Sequence, residues 1–163
     1  MKITGTYFFA LMFVLSIPGV LSAQERSAQQ NLILHVNELN KIDLTNPSVY
    51  LVIEQVPEQG EAVTASNADG SLLWTTNGEN RKITVTSNQT SSKFTLKVMA
   101  QNVSRRAGTA GPEITLNDQQ DHNFILGVSR TAGSCILRLT AISSLTEGVT
   151  SETRVLTYTI MNN

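Results

Sequence analysis

The sequence predicts an all-β fold: an antiparallel two-sheet β-sandwich, immunoglobulin-like or jelly-roll in connectivity, with about eight or nine strands. Three observations predict it. Short runs rich in Val, Ile, Leu, Thr and aromatic residues alternate apolar and polar side chains at period two. Clusters of Gly, Pro, Asn and Asp separate these runs at short spacing. After the first 23 residues, no segment sustains a helical period. A closed barrel is the alternative architecture. An outer-membrane barrel is disfavoured, because its strands would be about ten residues long and flanked by aromatic girdles, and only 6% of this chain is aromatic.

The stretch Ser71–Ala100 carries the strongest signal. Ser71–Thr76 and Arg81–Thr86 are two β-rich runs separated by Asn77-Gly78-Glu79-Asn80. Asn-Gly between such runs predicts a hairpin, because both residues tolerate positive φ; the four-residue gap points to a longer loop with a bulge. Phe94, Leu96, Val98 and Ala100 then alternate with Thr95, Lys97 and Met99, which predicts a half-buried strand. The single tryptophan, Trp74, lies in the first of these runs. Core packing is favoured for it over a sugar-stacking platform, since its neighbours are apolar.

Met1–Ala23 has the layout of a secretory signal peptide. Lys2 supplies the charge, Tyr7–Ile17 the apolar core, Pro18 and Gly19 the break, and Leu21-Ser22-Ala23 the cleavage region. The apolar core is too short for a spanning helix. The expected product is an exported protein, not membrane-spanning after signal removal, located in the periplasm, at the cell surface or outside the cell. The expected organisation is 1–23 signal peptide, 24–31 flexible polar arm, and 32–163 a single sandwich domain.

Within that domain, Leu32, Leu34 and Val36 predict one apolar face of a first strand. Lys41–Pro47 reads as a turn, because Pro47 interrupts regular pairing. Val49–Ile53 is a continuous apolar run that predicts a strand buried on both faces. Pro57, Gly60 and Ser66–Gly70 carry turn chemistry, with a short edge strand near Ala62–Ala65. Gln101–Pro112 reads as a mobile loop, irregular over Gly108–Gly111. Ile114–Leu116 and Phe124–Val128 predict strands, with Gly127 marking a bulge or a close approach. Asn117–Asn123 is a polar turn. Ser134–Ile142 predicts a long strand with Cys135, Leu137, Leu139 and Ala141 on one face. The last strand, Arg154–Ile160, puts Leu156, Tyr158 and Ile160 on one face and threonines on the other, with no anchor or further domain expected beyond it.

The chemistry-bearing residues are sparse. Charged residues make up 15% of the chain and no run of Lys or Arg exceeds two, so nucleic acid is not an expected partner. The lone Cys135 rules out an intramolecular disulfide and reads as a buried thiol. Asp118, Asp121 and His122 fall within five positions, but the run matches no metal-binding pattern. Asn88-Gln89-Thr90 and Asn102-Val103-Ser104 fit the glycosylation sequon, which matters only in a eukaryotic secretory route. His35 reads as a strand residue. No serine elbow, phosphate loop or His-Glu metalloprotease motif is present. The expectation is a non-enzymatic chain with no cofactor and no metal.

The signal peptide, the Thr/Ser-rich strands and the terminal Val155-Leu156-Thr157-Tyr158-Thr159-Ile160 give the chain a resemblance to secreted bacterial β-sandwich proteins of the fimbrial-subunit and spore-coat-protein-U type. The resemblance is one of layout over most of the mature chain. It departs from those families in lacking the cysteine pair common in such subunits. It implies an assembly role in which one subunit's strand completes another's sheet. The leading expectation is therefore a structural, adhesive or assembly protein of the bacterial envelope or surface. Its partner would be itself or another envelope β-protein, paired through Leu32, Leu34 and Val36 or through Leu156, Tyr158 and Ile160. The alternative is a monomeric secreted binding module for glycan or protein, using loops around Arg105, Arg106, Asp118, Asp121 and His122. A small secreted hydrolase is the third and weakest reading.

Overall fold

The structure is a computed structural model, and it describes residues 30–54, 62–90, 93–143 and 151–163. The signal-peptide reading and the turn at Pro57 and Gly60 lie outside the described residues. The chain divides into two units, Met1–His35 and Val36–Asn163. In the first, the described residues form no strand, and Leu32, Ile33 and Leu34 are exposed. Val36, at the head of the second unit, is 75% exposed. The strand expected at residues 32–36 is therefore absent: the alternation is there, but no described strand supplies a ladder.

The second unit holds nine strands and no helix among the described residues. They are β1 (Asn40–Leu44), β2 (Val63–Thr76), β3 (Arg81–Ser87), β4 (Phe94–Gln101), β5 (Thr109–Ala110), β6 (Ile114–Thr115), β7 (His122–Val128), β8 (Thr131–Ser143) and β9 (Leu156–Asn162). Two antiparallel sheets form, in the orders β1-β2-β8-β4-β6 and β5-β7-β3-β9. From β2 onward each successive strand lies in the other sheet, and β8 sits between β2 and β4 as β7 sits between β5 and β3. The two antiparallel sheets make the layers of a β-sandwich.

The alternation corrects the expected hairpin. β2 and β3 belong to different sheets, so residues 77–80 form an arch across the sandwich. Asn80, with φ of 51°, takes the left-handed position. The Gly78 carbonyl accepts from the Arg130 amide at 2.9 Å, tying this arch to the β7–β8 crossing.

Three other expectations are corrected in the same region of the sandwich. Residues 41–44, read as part of the turn Lys41–Pro47, belong to β1, because Ile42 and Leu44 pack against the core. Val49–Ile53 forms no strand: Tyr50 is 85% and Val52 64% exposed, and residues 46–54 make no backbone hydrogen bond to any described residue. Ser66–Gly70 is no turn but part of the fourteen-residue β2, which shifts register between Asn67 and Gly70. There the Asn67 side chain accepts from the Asp69 amide at 2.9 Å and donates to its carboxylate at 2.8 Å, so turn chemistry builds a bulge inside a strand.

The core lies between the sheets. Leu72 and Trp74 of β2, Ile83 and Val85 of β3, Val98 of β4, Phe124 of β7 and Cys135 and Leu137 of β8 are buried there. The inward faces expected for β4, β8 and β9 are the inward faces observed. Trp74 is a core residue at 2% exposure, and its Nε1 donates to the Ala107 carbonyl at 3.2 Å. Gly133 makes this possible: a Cβ there would lie 2.6 Å from the indole ring. Gly127 has φ of 66° where β7 shifts register against β3, the bulge expected of it.

Candidate functional site

Both sheets stop on the same side of the sandwich, one at β1 and the other at β9. Among the described residues β1 pairs only with β2, and β9 only with β3, so each keeps one edge that no described strand covers. Hydrogen bonds at the ladder ends show which backbone groups face those edges. Asn163 N donates to Asn80 O at 3.0 Å, and Asn88 N to Val155 O at 3.0 Å, across directly opposed residues. Hydrogen-bonded pairs alternate along an antiparallel ladder. Thr157, Thr159 and Met161 therefore bond to β3, and the backbone N–H and C=O of Leu156, Tyr158 and Ile160 point to the free edge. The same argument holds for β1. Asn77 N donates to Leu39 O at 3.2 Å and Thr45 N to Ser71 O at 3.0 Å, leaving Ile42 and Leu44 to face outward.

The side chains of Ile42, Leu44, Leu156 and Tyr158 line the space between the edges. An open groove of about 340 Å³ is bordered by Ile42, Asp43, Leu44, Pro47, Leu72, Leu156 and Tyr158. Tyr158 stacks tilted against Phe124, with centroids 5.5 Å apart. Burial raises its phenol well above the usual range, and the neighbouring Cys135 sulfur adds to the shift. Burial also pushes the Cys135 thiol up to about 11. The thiol is thus held protonated beneath β9, which makes it a poor nucleophile.

The two edges differ. On β1, Asp43 Oδ1 accepts from the Leu44 amide at 2.9 Å, occupying an edge donor, and Lys41 pairs with Asp43 at 3.7 Å. Charged residues on an edge strand discourage pairing. β9 reads Leu-Thr-Tyr-Thr-Ile-Met-Asn and carries no charge. Its entry is fixed by Arg154, whose side chain is 7% exposed. The guanidinium donates to Leu116 O at 3.1 Å, to Phe94 O at 2.7 Å and to the Glu152 carboxylate.

The other residues singled out in the sequence do not form one site. Arg105 and Arg106 lie in the segment that begins beside Ser134 and leads to Ala107 under Trp74. His122 pairs with Val85, and Gln119 reaches Asn88, so Asp118, Asp121 and His122 sit at the opposite end of the sandwich. His122 Nε2 lies 2.7 Å from Asp118 Oδ1. That hydrogen bond, with one from the Gln120 amide, holds the Asp118 carboxyl below its ordinary range. Asp121 accepts instead from the Thr86 hydroxyl. Among the described residues no group of three His, Cys, Asp or Glu is placed to hold a metal ion.

The segment 101–112 is anchored, contrary to its reading as a mobile loop. Ser104 and Ser134 bond through backbone and hydroxyl, Ala107 is fully buried, and Thr109–Ala110 pairs with β7 as β5. Sequence reasoning missed Ile42, Leu44 and Pro47. The alternation Lys41-Ile42-Asp43-Leu44 was the available signal, obscured by its charges and by the nearby proline.

Among the described residues no helix is long and apolar enough to cross a membrane. Compared with known proteins, the chain matches no family model, no curated protein and no solved structure.

Proposed function

We propose that this chain is an exported, non-enzymatic β-sandwich that acts by accepting a strand at the β1/β9 side, in a structural, adhesive or assembly role at the bacterial envelope or surface. The observation that carries the reading is the free edge of β9, with the backbone of Leu156, Tyr158 and Ile160 directed outward above an apolar groove. An extended peptide added there gains main-chain hydrogen bonds along the edge and a place for alternate side chains between the sheets. The partner is another copy or another envelope β-protein. The exposed, alternating Leu32, Leu34 and Val36 of a neighbouring copy have the pattern such a strand requires.

The test is the solution mass of residues 24–163 by size exclusion with light scattering, after export in a bacterial host. Oligomers, or ladders that resist detergent, are the expected result. A folded monomer at all concentrations would overturn strand assembly and favour the monomeric glycan- or protein-binding reading.

A further inference from the structure

The Asn77-Gly78 pair, which forms no hairpin, sits where the chain enters β1. Asn77 grips the segment before that strand. Its Oδ1 accepts from the Leu39 amide at 2.7 Å and its Nδ2 donates to the Asn37 carbonyl at 2.9 Å. Its backbone amide donates to the Leu39 carbonyl at 3.2 Å. Two further contacts close the clasp. Arg81 pairs with Glu38, its guanidinium lying over Gly78 where a Cβ would come within 2.5 Å of Nε. Thr76 Oγ1 donates to Asn40 at 2.6 Å and accepts from the Gly78 amide at 3.0 Å.

Asn-Gly is the dipeptide in which a side-chain amide is most open to attack by the next backbone nitrogen, because glycine offers no side chain to hinder it. This is the only Asn-Gly in the sequence, and Asn77 is exposed to water. We infer that Asn77 is a self-modification site, and that its deamidation opens the clasp on residues 37–39 irreversibly.

The step needs only water. The Gly78 amide nitrogen loses its proton and attacks Asn77 Cγ, forming the new C–N bond. The bond from Cγ to Nδ2 breaks and the nitrogen leaves as ammonia. Water then opens the cyclic imide at either carbonyl, leaving aspartate or isoaspartate at position 77. While the clasp is closed, the Gly78 amide is committed to Thr76 and the Asn77 amide is held at both of its atoms, so attack waits for opening. The product cannot restore the whole clasp. A carboxylate has no N–H for the Asn37 carbonyl, and its negative charge falls beside Glu38. The isoaspartate form also lengthens the backbone at the arch. This inference is independent of strand assembly at β9.

The experiment incubates the folded chain at mildly alkaline pH. Peptide mapping by mass spectrometry follows each asparagine, and hydrogen exchange follows the Leu39 amide. Asn77 is expected to convert ahead of the other asparagines, with Leu39 exchange rising in step. Asn77→Asp should exchange Leu39 roughly tenfold faster from the outset, the factor equivalent to about 1.4 kcal/mol. Glu38→Gln leaves the Asn-Gly pair intact and loosens the clasp, so it should speed deamidation by about two- to fivefold. Conversion of other asparagines while Asn77 stays intact would overturn the inference. So would full conversion with Leu39 protection unchanged.

Discussion

The two free edges of this sandwich are built from the same parts and protected to different degrees. β1 and β9 each turn the backbone of their inward-facing residues out to solvent. β1 is five residues long, carries Lys41 and Asp43, and uses Asp43 to occupy the Leu44 amide. β9 is seven residues long, uncharged, and flanked on its outer face by Thr157 and Thr159. An edge strand is kept from pairing by shortness and charge. β1 has both protections and β9 neither. The asymmetry teaches that exposure alone does not mark a pairing edge; the state of its donors does.

The comparison is broken most strongly from beneath β9. Tyr158→Ala removes the ring stacked on Phe124 and should cost about 2–4 kcal/mol in denaturant unfolding. Leu44→Ala, the counterpart on β1, should cost about 1–2 kcal/mol, because Leu44 packs at the margin of the core. Equal losses would show that β9 is no better anchored than β1.

Arg154→Ala releases the carbonyls of Leu116 and Phe94 from their charged donor and unfastens the entry to β9. A loss of about 2–3 kcal/mol is expected from a buried, charge-assisted network. Arg154→Lys should recover only part of it, since one ammonium cannot reproduce the fork.

A third pair of variants separates pairing from stability. Thr157→Lys with Thr159→Lys puts charges on the solvent face of β9, as Lys41 does on β1. Unfolding free energy should move within about 0.5 kcal/mol, while any oligomer seen by light scattering is lost. Asp43→Ala frees the Leu44 amide and should raise association. If the lysines leave assembly intact, β9 is not the acceptor.

A further effect is alkaline. The Cys135 thiol is pushed from 9.0 to about 11 by burial, so its protonated form is favoured in the folded state. A raised folded value gives stability that is complete below the unfolded pKa and lost as pH rises through the folded one. Unfolding free energy should therefore fall between pH 9 and about 11, and Cys135→Ala should flatten that slope. An unchanged slope would place the titration elsewhere, Tyr158 first.

What the sequence made legible follows one physical rule. Strands buried on one face declare themselves by alternation, so the inward faces of β4, β8 and β9 were readable residue by residue. Trp74 was readable as core from its neighbours. Sheet membership was not, because Asn77-Gly78 specifies a tight change of direction and leaves open which strand the chain meets next. The arch is decided by contacts remote in sequence, such as Gly78 with Arg130. Val49–Ile53 shows the converse: strong β-propensity forms no ladder where no strand lies alongside. β1 was hidden by the charges that protect it, which made an edge strand resemble a turn. Half of the candidate site, Leu156, Tyr158 and Ile160, was therefore visible from the start, and the other half, Ile42 and Leu44, emerged only from the pairing.

The measurement that tests the central claim most directly is hydrogen exchange of the β9 amides at low and high protein concentration. In dilute solution Tyr158 and Ile160 should exchange quickly and Thr157 and Thr159 slowly, because only the latter bond to β3. Raising the concentration should protect Tyr158 and Ile160 while Ile42 on β1 stays fast. Exchange at Tyr158 and Ile160 that does not change with concentration would contradict a strand-accepting edge at β9.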